Sequence, residues 1–160
     1  MPSMLPAARP PIGPAPGLLY AGFWLRVVAA LLDGVCSFAL IFALVLIATP
    51  FQDANGTAAA VGGAVLAIVG IAAWLALQIV VPGRFGGTIG MRVLGMWIVR
   101  EQDGSQIGYG LAAGRLGVYM AISFFSLGIG AAADALLVAF DGRNQSIHDK
   151  ACSTLVIRRG

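Results

Sequence analysis

Charge is scarce in this sequence: Lys, Arg, Asp and Glu together make up 11 % of its 160 residues, beside a single histidine and two cysteines. Soluble globular chains carry roughly a quarter charged residues, so the shortage excludes an ordinary soluble domain. Cys36 lies in a long apolar run and Cys152 in a polar C-terminal stretch. No disulfide framework and no zinc spacing follows from them, and both thiols are expected to be free. The glycine-rich stretch "GRFGGTIGMRVLGMWIV" contains neither G-x-x-x-x-G-K-[ST] nor a dinucleotide fingerprint. No cofactor and no resident metal are therefore expected. The net charge of +3 comes from arginines scattered along the flanks of apolar segments, which is a topology pattern and not a nucleic-acid footprint.

What the chain has in quantity is hydrocarbon, with 59 % hydrophobic residues and a mean hydropathy of +0.89. Gly34 to Gln52 holds no ionisable group except the Cys36 thiol, and Gly56 to Pro82 holds none. Each exceeds or approaches the roughly 20 apolar residues that cross a hydrocarbon core about 30 Å thick. The expected fold is an all-α integral membrane protein with two spans, residues 22–49 and 58–81. A third apolar segment, residues 111–140, is interrupted by "SLGIG" and carries Asp134. It is either a third span or a re-entrant hairpin. Residues 1–19, rich in Pro and Ala, read as a disordered tail, and residues 20–160 as the membrane domain.

Basic residues orient such a chain. Arg9 and Arg26 precede the first span, and the connection "PFQDANGTA" has no base and one acid, Asp53. The N-terminus is therefore expected on the cytoplasmic side of the membrane. Arg84, Arg92, Arg100 and Arg115 follow the second span on that same side. Arg143, Lys150, Arg158 and Arg159 belong there too only if the third segment turns back, which favours the hairpin. The runs Met96 to Val99 and Thr154 to Ile157 favour strands, and Asp103-Gly104 is a turn signal. A small cytoplasmic β-hairpin, or a pairing of these runs, is expected.

Arg26 and Asp33 are seven residues apart in "FWLRVVAALLDG", on one helix face but about 10 Å apart along the axis. Arg26 can snorkel to headgroups beside Tyr20, Phe23 and Trp24. Asp33, about 16 Å into a span that starts near Gly22, needs a proton, a cation or a basic partner, because a charge at that depth costs about 2.5–3.5 kcal/mol. Asp134 poses the same problem beside a glycine break that could open onto a cavity. Small residues around it, and Ala59, Gly63 and Ala67 at four-residue spacing, mark helix contacts. Thr88 is expected to start a short interfacial helix bearing Met91, Val93 and Leu94. Ser146 and Asp149 have capping-box spacing, and His148 beside them has no nucleophile motif to activate.

The blocks "YAGFWLRVVAALLDG", "GGTIGMRVLGMWIVREQDG" and "FDGRNQSIHDKACSTLVI" resemble the signature blocks of the RDD family of small bacterial membrane proteins. The family's arginine and two aspartates match Arg26, Asp33 and Asp149, with Asp134 or Asp141 as other choices for the second aspartate. Thr88, Gly90, Arg92 and Gly95 match the family's central element. The resemblance implies a compact membrane domain in the bacterial cytoplasmic membrane, for which ligand or ion transport, including cation/proton exchange, has been suggested. The leading expectation is proton-coupled transport of a cation or small ligand through Asp33, with Arg26, Asp149 and Asp134 as further candidates in a charge network. So few spans imply a homo-oligomer. The second expectation is a non-transporting scaffold or accessory subunit that pairs Arg26 and Asp33 with the charges of a membrane partner. An enzyme is not expected.

Overall fold

In a computed structural model the chain is described at Pro14 and over residues 17–52 and 56–159. The rest of the proline-rich tail, and Asp53 in the first connection, lie outside the described residues. The tail expectation is corrected at its end: Leu18–Tyr20 form strand β1, so order begins inside the stretch read as residues 1–19. Helix α1 follows directly, from Phe23 to Gln52. At 30 residues it rises about 45 Å, against about 30 Å of hydrocarbon.

Helix α2 (Thr57–Leu75) widens into a π-helical turn over Ala76–Val80 and continues as α3 (Val81–Phe85). Pro82 explains the widening. It has no N–H to give to the preceding turn, and the ladder relaxes so that Val81 N–H reaches back to the Ala76 carbonyl. Gly86 ends α3 at φ 73° and donates to the Pro82 carbonyl at 2.9 Å. Helix α4 (Ile89–Val93) starts, as expected, at Thr88, whose hydroxyl accepts from Met91 N–H at 3.4 Å. Gly95, at φ 67°, then turns the chain into strand β2 (Met96–Arg100).

The third apolar segment is two helices, α5 (Gly108–Phe125) and α6 (Ile129–Phe140). Between them Leu127 and Gly128 take positive φ, and the Ser126 hydroxyl accepts the N–H of Gly130 at 2.7 Å. Gly130 lies so close to Ile122 and Ser126 that a side chain there would collide with both. The segment therefore folds back on itself. A short helix α7 (Ile147–Ala151) and strand β3 (Thr154–Arg159) complete the chain.

The strands form one antiparallel sheet in the order β1-β3-β2. Tyr20 is opposite Ile157, and Ile98 opposite Val156. This replaces the expected hairpin: β2 pairs with a strand more than fifty residues later, and the Asp103-Gly104 turn returns only as far as a bridge between Val99 and Gln106. The sheet joins the chain before α1, between α4 and α5, and after α7. Each helical excursion thus leaves the sheet and comes back to it, so the N-terminal strand, the central block and the C-terminal strand share one side.

The core sits where sheet and helix ends meet: Ala21, Ala29, Met96, Ile98, Ile107, Ala112 and Val156 are buried together. The far reaches of α1 and α2 are different. Phe38, Ile41, Phe42, Leu46, Ile68 and Ile71 are all more than half exposed, an apolar surface of the kind that marks a membrane or protein contact. Both helices are long and apolar enough to cross a membrane. At Gly63, in the small-residue row of α2, an added side chain would meet open space among the described residues. The close approach is at Gly70, where an added Cβ would stand 2.9 Å from Leu44 of α1.

Candidate functional site

Arg26, one turn into α1, is fixed by three acceptors. Its Nε donates to the Ala21 carbonyl at 3.1 Å, one terminal nitrogen to the Asn144 carbonyl at 2.5 Å, and the other to Asp149 Oδ2 at 2.5 Å. Arg115 of α5 is in ion-pair contact with Asp149 Oδ1 and donates to the Thr154 hydroxyl, which in turn donates to the Asp149 carbonyl at 3.3 Å. Asp149 is completely buried, and its carboxylate also closes the capping box of α7 by accepting the Ser146 N–H at 3.2 Å. Burial alone would push this carboxyl up. The guanidiniums of Arg115 and Arg26 outweigh burial and hold it well below the usual carboxylate range. One buried anion between two cations thus ties together α1, α5, α7 and the start of β3.

Asp134 of α6 is buried beside this knot. Its Oδ2 is 2.6 Å from His148 Nδ1, and its Oδ1 accepts the His148 N–H at 3.1 Å. The other ring nitrogen stands 3.8 Å from Asp149 Oδ1, and Tyr119 packs edge-on with ring centroids 6.0 Å apart. The Ser146 hydroxyl is near as well, but it is almost equidistant from the two ring nitrogens, at 3.1 and 3.2 Å. It also accepts the Asp149 N–H.

Among the described residues Asp33 forms no salt bridge. Its Oδ1 accepts the Gly90 N–H at 2.7 Å, which pins α4 against α1. Gly90 can approach because it has no side chain: a Cβ there would collide with the Ala29 carbonyl. In a helix of 30 residues, position 33 falls in the first half, level with α4. The hydrogen-bond partner of Asp33 is a backbone amide.

These groups border one cavity of about 570 Å³, between α1, α5, α6 and the π-helical turn. Asp33, Asp134 and His148 line it together with Arg26, Arg115 and Tyr119, and most of the remaining wall is aliphatic. Ser37 and Gln78 also face it. Among the described residues no set of three His, Cys, Asp or Glu side chains could hold a metal ion.

The central block has structural duties around this cavity. Besides Thr88, Gly90 and Gly95, already placed, Arg92 lies over the Trp97 ring at 4.8 Å, with Arg159 5.7 Å from the same ring centre. The model of the RDD family matches residues 20–153, most of the chain. The chain belongs to the RDD family. No curated protein and no solved structure matches it.

Of the residues singled out in this RDD chain, the fold brings Arg26 and Asp149 into direct contact and places Asp134 next to them through His148. Asp33 stays separate on the cavity wall. Asp141, the remaining choice for the second aspartate, instead pairs with Lys150 at 2.5 Å near the surface. Two members escaped the sequence reading. Arg115 was counted only as a topology charge, though an arginine amid "LAAGRLGV" carries the same burial problem as Asp33. His148 was set aside for lack of a nucleophile, and its partner Asp134 is fourteen residues away.

Proposed function

We propose that this RDD protein is a transporter in the bacterial cytoplasmic membrane, binding a cation or another small ligand in the cavity and coupling its movement to protons. The cavity carries the reading. It has the size and largely apolar lining of a small-ligand site, and its ionisable groups sit at the ends of helices apolar enough to cross a membrane. Asp149 occupies Arg26 and Arg115, which leaves Asp33 and the Asp134–His148 pair to exchange a proton for a ligand. The sheet side, with exposed Arg84, Arg92, Arg100, Arg143 and Lys150, is the cytoplasmic side by the charge rule, and the N-terminus lies there. Two long helices per chain make a thin wall, so the transporting unit is a homo-oligomer.

The scaffold reading pairs Arg26 and Asp33 with a partner's charges; Arg26 has Asp149 within its own chain, while Asp33 meets a neutral backbone amide.

The test is proton movement in everted vesicles from a host lacking its own exchangers, started with Na⁺, K⁺, Li⁺ or ethidium. Asp33→Asn is the informative variant, because an amide oxygen still accepts the Gly90 N–H while the charge is lost. Movement with the native chain that disappears in the equally expressed variant supports transport. Silence of the native chain with every one of these ions ends the reading.

A further inference from the structure

The cavity's charge and its walls point to different properties of one ligand. Arg26 and Arg115 contribute two positive charges to its surroundings, and Asp149, Asp134 and Asp33 three negative ones, so with His148 neutral the site carries one uncompensated negative charge. Asp149 is fully buried between the two arginines. The unmatched charge is therefore on the cavity side, at Asp33 and Asp134. A bare alkali cation would need several oxygen ligands in place of its hydration shell. Yet the exposed lining is mostly carbon, from Val27, Ala30, Leu31, Leu116 and Val138 among others, with the Tyr119 ring beside His148. At about 570 Å³ the space is also far larger than one such ion.

We propose that the ligand of this cavity is a lipophilic organic cation of single charge, its charged end toward Asp33 and Asp134 and its hydrocarbon against the aliphatic wall. The inference rests on the transport reading for its physiological meaning, but binding is measurable by itself. A weakly hydrated organic cation loses little on leaving water and gains the burial of its hydrocarbon, about 25 cal/mol per Å². An aromatic face adds cation–π attraction.

The experiment is equilibrium dialysis of the purified full chain in mild detergent with tetraphenylphosphonium, against tetraphenylborate as an anion of the same shape. The expected result is saturable binding of the cation, one per chain, with none of the anion. Binding should weaken about tenfold in Asp33→Asn, the equivalent of roughly 1.4 kcal/mol. It should also weaken in Ala30→Phe, which puts a bulky side chain on the cavity wall. Cation binding that is absent, or the same in both variants, overturns the inference. So does binding of the anion, or a phospholipid that copurifies in the cavity and is not displaced by the cation. Vesicles in which Na⁺, K⁺ or Li⁺ moves protons while tetraphenylphosphonium fails to bind would refute the lipophilic ligand and leave the transport reading standing.

Discussion

The two ends of the molecule solve opposite problems. At the sheet end nearly every polar group is matched: Asp149 by two arginines, Asp134 by His148, and Asp33 by a backbone amide. The core residues are buried there too. At the far end Leu44 of α1 closes on Gly70 of α2, and many other side chains of both helices present exposed hydrocarbon. Stability at the first end depends on specific partners, and at the second on the solvent around it. In a bilayer the helices need no tight packing to stay helical, because their backbone bonds are internal. The sheet end needs its partners, because an unpaired buried ion has nowhere to go.

The sharpest challenge to that contrast is Asp149→Ala. It strands two guanidiniums, both at most 10 % exposed, and should cost about 3–5 kcal/mol, read as a drop in thermal stability of the detergent-solubilised chain. Acid should reach the same interaction gradually. Because the folded carboxyl lies below its unfolded value, near 4, its contribution is complete above about pH 4 and is lost as the pH falls through the folded value. The Asp149 variant should lack that acid-dependent loss. If the native and variant proteins lose stability in parallel below about pH 4, Asp149 is not the responsible group.

A smaller effect is expected from Gly90→Ala, whose methyl must displace the Ala29 carbonyl and with it the Asp33 bond. Overpacking of this kind costs about 1–3 kcal/mol, and the same thermal measurement checks it. The smallest is Gly63→Ala at the far end, where the added methyl meets open space. It should change stability by no more than about 0.5 kcal/mol. A large loss at Gly63 would mean that the far end is packed against something, a second copy of the chain being the first to look for by crosslinking.

Helix positions, the Thr88 cap, the Ser146–Asp149 capping box and the return of the third segment were legible in the residues, because each depends on neighbours within a few positions or on the number of apolar residues in a row. The runs of β2 and β3 and their pairing with each other were legible as well, but not the register of that pairing or the third strand, β1, which joins β3 across the whole chain. Asp149 shows why a local explanation can be correct and incomplete. Its spacing from Ser146 identifies a cap, and nothing in that spacing says that Arg26 and Arg115, 123 and 34 positions earlier in the chain, close on the same carboxylate.

By itself, then, the sequence determined that two long helices are apolar enough to cross a membrane, where two short helices are capped and the third apolar segment is broken, and that its few charges are too costly to be idle. Only the tertiary structure decided which charge meets which: Arg26 with Asp149, Asp134 with His148, and Asp33 with an amide of α4. Apolar length and capping are properties of contiguous residues, whereas ion pairing inside a protein depends on distances that only the folded chain sets.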